Sequence, residues 1–174
     1  FAQGKTLLRF ADSLPANHVF TETVAKPWMA EVTRLTKGAV EFQHFPAQQL
    51  GKAADMLRLA QTGVADIAFV AVPYVSEKMP LSGVVELPGG FASSCAGARA
   101  LWKLAKGGGL EKLEFQPLGV HMMFAIVQPP FQVFTSKKKV ESVKDIEGLK
   151  LRTTGAAMDL MIRNMNGVPV RMSA

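Results

Sequence analysis

The chain has 174 residues but a single cysteine, three histidines and one tyrosine. Cys95 has no internal disulfide partner, and no Cys/His pair shows metal-ligand spacing, so neither a metal nor a cofactor is expected. That lone thiol reads as a buried core group. His18, His44 and His121 lack a neighbouring Ser or Cys in a triad-like arrangement, and neither H-E-x-x-H nor G-x-S-x-G occurs; no catalytic residue is assigned and the chain reads as a non-enzyme. No apolar run approaches the roughly 20 residues of a membrane-spanning helix; the densest, residues 67–72, has strand length. The glycine triplet 107–109 follows a helical pattern and lacks the Gly-Lys-Ser/Thr ending of a phosphate loop, so it reads as a helix terminator. The lysine run 137–139 has no aromatic interleaving and reads as a solvated turn, so no nucleic-acid partner is expected.

Hydrophobic residues make up 48% and charged residues 20% of the chain, a globular composition with a net charge of +6. Residues 131–174 carry +4 of that excess, a modest local surplus suited to a small anion. Residues 7–11 read as a strand. Phe20, Val24, Trp28, Val32 and Leu35 recur at helical spacing, with Pro27 either kinking that pattern or opening a second helix, and Gly38 ending it. Val40, Phe42 and His44 alternate as a strand. A helix through Leu57 and Ala60 closes at Gly63, and residues 66–70 form an apolar strand buried on both faces. This strand–helix alternation predicts an α/β domain around a parallel sheet. Asp12 and Asp66 at strand ends read as loop caps rather than catalytic acids.

Beyond an irregular stretch, Ser94 caps a helix carrying Leu101, Trp102 and Ala105, and residues 119–127 form a long strand. A second unit begins near residue 128: a short strand at 132–135, a capping box from Ser142 to Asp145, a strand with Lys150 and Arg152 on one face, a helix striped by Met158, Met161, Ile162 and Met165, and a strand through Val168, Val170 and Met172. The expected lobes are 1–127 and 128–174. The latter is too short for an independent core and is read as incomplete. At the N-terminus, Phe1-Ala2-Gln3-Gly4-Lys5 has no initiating Met. An Ala ahead of Phe1 would make a small-residue cleavage pattern, so the chain is expected to be exported with its signal peptide removed.

Arg152 is the leading ligand-binding candidate. It ends an alternating strand and is followed by Thr153-Thr154-Gly155 and a helix, where a guanidinium and a helix N-terminus suit a carboxylate.

Val143-Lys144-Asp145-Ile146-Glu147-Gly148-Leu149-Lys150-Leu151-Arg152 resembles the signature of TRAP-type (tripartite ATP-independent periplasmic) transporter solute-binding proteins, which carry "DLKGLKIR" before a helix and then "GA-PVPM". That second piece corresponds here to Asn166-Gly167-Val168-Pro169-Val170-Arg171-Met172. Pro27-Trp28, Thr36-Lys37-Gly38, Gln49-Leu50-Gly51, Gly63-Val64-Ala65-Asp66-Ile67 and Glu86-Leu87-Pro88 match in order and spacing, over about the first half of such a protein. The resemblance implies a periplasmic-binding-protein fold of two lobes, each a β-sheet flanked by helices, that closes on an organic acid and delivers it to TRAP membrane permease subunits. It gives Arg152 the carboxylate. Gln132 stands where many members have a second basic residue, which points to a monocarboxylate. His18, Tyr74 and Phe91 match first-lobe regions facing the cleft. A carboxylate sensor for a signalling partner, and an enzyme anchored on Arg152, are the alternative readings.

Overall fold

The structure is a computed structural model that describes residues 4–87 and 89–173. The expectations resting on Phe1–Gln3, Pro88 and Ala174 lie outside the described residues. The described residues divide into two compact units, 4–71 and 72–173.

The first unit is a three-stranded parallel sheet in the order β2-β1-β3, built from β1 (Thr6–Ala11), β2 (Val40–Phe45) and β3 (Ile67–Ala68). Thr6 pairs with Val40 and Ala11 with Phe45, while Phe10 and Ala11 pair with Ile67 and Ala68. Side chains alternate along β1, so consecutive residues enter different cores. Ala11 packs with Met56, Leu59 and Ala65 on one face, and Phe10 packs with Ala25 and Met29 on the other. Covering both faces is the stable arrangement for a parallel sheet. Helix α1 (Lys26–Leu35) serves the Phe10 side and α2 (Met56–Gln61) the Ala11 side.

The helical stripe expected from Phe20 to Leu35 holds in part: Phe20 and Trp28 pack against the Phe10 cluster and Val32 is half-buried. The buried positions are Thr21, Ala25 and Met29, whereas Val24 and Leu35 are exposed. Thr21–Ala25 forms a wide turn in which the Lys26 amide reaches back five residues to the Thr21 carbonyl. The wide turn runs straight into α1 with helical backbone throughout, and Pro27, which has no N–H to donate, stands in the first turn of α1. Gly38 ends the segment with φ +81°. The strand expected over 66–70 is only Ile67–Ala68 and is half-buried. Its neighbour β1 stops at Ala11, where Asp12 turns the chain by accepting from the Leu14 amide at 2.8 Å, so little ladder remains to extend it.

The second unit contains α3 (Ser94–Ala105), β4 (Lys150–Thr153), α4 (Ala156–Asn164) and β5 (Val168–Arg171), with β4 and β5 parallel. Ser93, not Ser94, caps α3: it is extended, as a cap must be, and its Oγ accepts from the Ala96 amide. Cys95 is exposed rather than buried, because α3 buries the face of Gly97, Leu101 and Ala105. Residues 120–142 contain neither of the two strands expected there; among the described residues no partner strand supplies a ladder. The capping box stands as expected, Asp145 Oδ2 accepting from the Ser142 amide at 2.8 Å and its hydroxyl at 2.9 Å. In the methionine stripe of α4 the buried residue is Ile162, and Met161 is exposed.

Candidate functional site

Arg152 and Lys150 share the exposed face of β4, while Thr153 on the other face is fully buried. The Arg152 side chain is held at two points. Its Nε donates to the Met172 carbonyl at 3.1 Å and its Nη2 to the Tyr74 hydroxyl at 2.9 Å. A guanidinium has five N–H donors, so three are left with no partner among the described residues, and none of those residues pairs a carboxylate with it. An arginine fixed in orientation but not neutralised by an acid can receive an anion bidentately.

Tyr74 reaches this point because of a glycine. Gly155, buried between β4 and α4, lies against the short helical turn Val72–Val75; a Cβ there would overlap the Pro73 carbonyl oxygen. Its backbone is extended, so the requirement for glycine is one of space. Three atoms of Pro73 crowd the position, and Tyr74 is the next residue.

Beneath β4, Asp159 of α4 accepts from Arg171 Nε at 2.7 Å. Burial works against ionisation of Asp159, but the neighbouring Thr153 hydroxyl, the hydrogen bond from Arg171 and the charges of Arg171 and Arg163 outweigh it and hold the carboxyl below its ordinary value. The start of α4 also borders a hollow of about 250 Å³ formed by Ala156, Ala157, Glu77 and Glu86 among others. Glu86 Oε1 is buried there without a hydrogen-bond partner among the described residues, and burial pushes this carboxyl up.

The other candidates are placed separately. Gln132 is exposed in the irregular stretch, its Nε2 donating to the Pro130 carbonyl at 3.4 Å. Phe91 covers Gly97 of α3 so closely that a Cβ would come within 2.9 Å of its ring. His18, in the first unit, accepts from the Phe20 amide on Nδ1 at 3.2 Å. The structure therefore brings Arg152 and Tyr74 together. Asp12 is the loop cap expected, and Asp66 holds Arg9, whose Nε donates to it at 3.0 Å. Sequence reasoning missed Asp159 and Arg171; the strand–helix–strand order, which puts Arg171 in register with Thr153, is the signal that locates them. Among the described residues no cluster of His, Cys, Asp or Glu converges as a metal site, and no helix is long and apolar enough to cross a membrane.

The profile of the family described as "Bacterial extracellular solute-binding protein, family 7" matches residues 10–174. The outer membrane transporter protein TsaT of Comamonas testosteroni is 26% identical over 150 residues, 86% of this chain and 43% of that protein. Two solved structures share the fold. A TRAP solute binding protein from Rhodoferax ferrireducens T118, in complex with copurified benzoate, matches with a TM-score of 0.81 at 24% identity, over 98% of this chain and 52% of that one. A marine metagenome TRAP solute binding protein specific for aromatic acid ligands, in complex with 3-hydroxybenzoate, matches with a TM-score of 0.87 at 23% identity, over 97% and 52%. The chain thus spans about half the length of the proteins it matches.

Proposed function

This chain belongs to the bacterial extracellular solute-binding protein family 7, and from that membership we propose that it forms the Arg152-bearing part of a receptor for an aromatic or other organic monocarboxylate. The receptor hands its ligand to TRAP membrane permease subunits and works in the periplasm. It binds and does not catalyse. The lobes divide at residues 127 and 128.

The observation that carries the reading is the state of Arg152: oriented by a phenol and a carbonyl, with no carboxylate on it among the described residues. In this reading Arg152 takes the ligand carboxylate in its planar fork, which an ammonium cannot match in geometry. Tyr74 holds the plane of that fork. Gln132 contributes a neutral amide where a second cation would favour a second carboxylate, and His18 and Phe91 belong to the pocket wall. The benzoate and 3-hydroxybenzoate of the two structural neighbours support an aromatic acid as the first class to test.

The test is a thermal-shift screen on the complete natural protein with benzoate, 3-hydroxybenzoate and neutral benzamide. A ligand at 100 times its Kd stabilises the folded state by about 2.7 kcal/mol, so a cognate carboxylate gives a shift of several degrees. Benzamide is expected to give none. A shift with neutral solutes and none with any organic acid would overturn the reading.

A further inference from the structure

We propose that Asp159 and Arg171 are a positioning pair that sets the orientation of Arg152 through the backbone at Met172, a role that rests on the reading of Arg152 as the anion's anchor. β4 and β5 run parallel with Arg152 opposite Val170 and Thr153 opposite Arg171. Alternation along the strands puts Arg152 on one face of this two-stranded sheet and Thr153 and Arg171 on the other, toward α4. There Arg171 Nε donates to Asp159 Oδ2 at 2.7 Å, and the Asp159 side chain is only 17% exposed.

The residue after Arg171 serves the opposite face. The Met172 amide donates to the Thr153 carbonyl at 3.1 Å, and its own carbonyl accepts from Arg152 Nε at 3.1 Å. Two adjacent residues therefore link α4 to the guanidinium: the side chain of Arg171 is tied below the sheet, and the carbonyl of Met172 receives Arg152 above it. β5 is four residues long, so its end has few other bonds to fix its rotation. Releasing Arg171 lets the Met172 carbonyl turn away from Nε and frees the guanidinium plane. The second ion pair that Arg171 approaches, with Glu77 at 3.9 Å, cannot replace the first, because Glu77 is 84% exposed and the separation is long.

A positioning role makes a claim that a purely structural role does not. A planar fork needs alignment, whereas a lysine ammonium is a point charge with rotatable donors. Benzoate affinity is measured by calorimetry on the complete natural protein for Arg171→Met in two backgrounds, the natural one and Arg152→Lys. The expected result is a loss of about fivefold or more with Arg152 in place, and less than about twofold in the Arg152→Lys background. Equal losses in both backgrounds would overturn the proposal, as would no loss in the natural one. If Arg171→Met fails to fold, Asp159→Asn removes the same charge pairing with an isosteric group and is read by the same comparison. Failure of the underlying reading looks different: Arg152→Lys itself would then bind benzoate as tightly as the natural protein.

Discussion

Replacing Gly155 by alanine tests the geometry of the site at its tightest point. The added Cβ would overlap the Pro73 carbonyl oxygen and lie 3.1 Å from the Pro73 carbonyl carbon and 3.2 Å from its Cα. All three atoms are backbone or fixed to it, so no flexible side chain can move aside. Either the Val72–Val75 turn or the β4–α4 junction must shift by several tenths of an ångström. Overpacking of this kind costs about 1–3 kcal/mol. The shift also carries Tyr74 away from Arg152 Nη2, and losing a hydrogen bond to an exposed charged group is worth about 1 kcal/mol, or roughly fivefold in affinity. Urea denaturation of the complete natural protein should show the stability loss, and calorimetry with benzoate the weaker binding. Tyr74→Phe separates the two effects, since it removes the hydroxyl without moving the backbone: it is expected to reproduce the binding loss with little change in stability. A Gly155→Ala protein as stable as the natural one would refute the close approach of Gly155 to Pro73.

Two further predictions concern pH. Burial raises the Glu86 carboxyl, so its neutral form is undisturbed below the ordinary carboxylate range and the cost of ionising it appears as pH rises through its folded value. Glu86→Gln should therefore raise the melting temperature by about 2 °C at pH 7.5 and have little effect near pH 4; the reverse order would contradict the desolvated placement. Hydrogen bonding from Arg9 holds the Asp66 carboxyl below its ordinary value, so its contribution is present above about pH 4 and lost as pH falls through the folded value. Asp66→Asn should lower the denaturation midpoint most at pH 7, with the difference shrinking below pH 4; a difference independent of pH would refute the pairing with Arg9.

Local features were legible in the amino-acid order. The strand–helix–strand–helix–strand course of the first unit, the stop at Gly38, the Ser142–Asp145 box and the shared exposed face of Lys150 and Arg152 each depend on a few neighbouring residues, and each stands in the structure. The buried face of α1 was legible only in part: Phe20 and Trp28 pack as their spacing suggests, but the wide turn before Pro27 leaves no mark on the apolar spacing, and Thr21, Ala25 and Met29 take the fully buried positions. The strands expected in residues 120–142 fail for a different reason: extended character is local, but a ladder depends on a partner elsewhere in the chain. At the site, Arg152 stood out through residue type and position. Its orientation did not, since Tyr74 is 78 residues away and arrives only through the space left by Gly155. The resemblance carried Arg152 and the family together, and Asp159 with Arg171 emerged only once the register of β4 and β5 was visible.

The central claim is that the Arg152 guanidinium holds the ligand's carboxylate. Calorimetric titration of the complete natural protein and of Arg152→Ala with an aromatic monocarboxylate such as benzoate tests it directly. The account predicts an affinity loss of about 30-fold or more for the alanine variant at unchanged melting temperature. Equal affinity in the two proteins would contradict it.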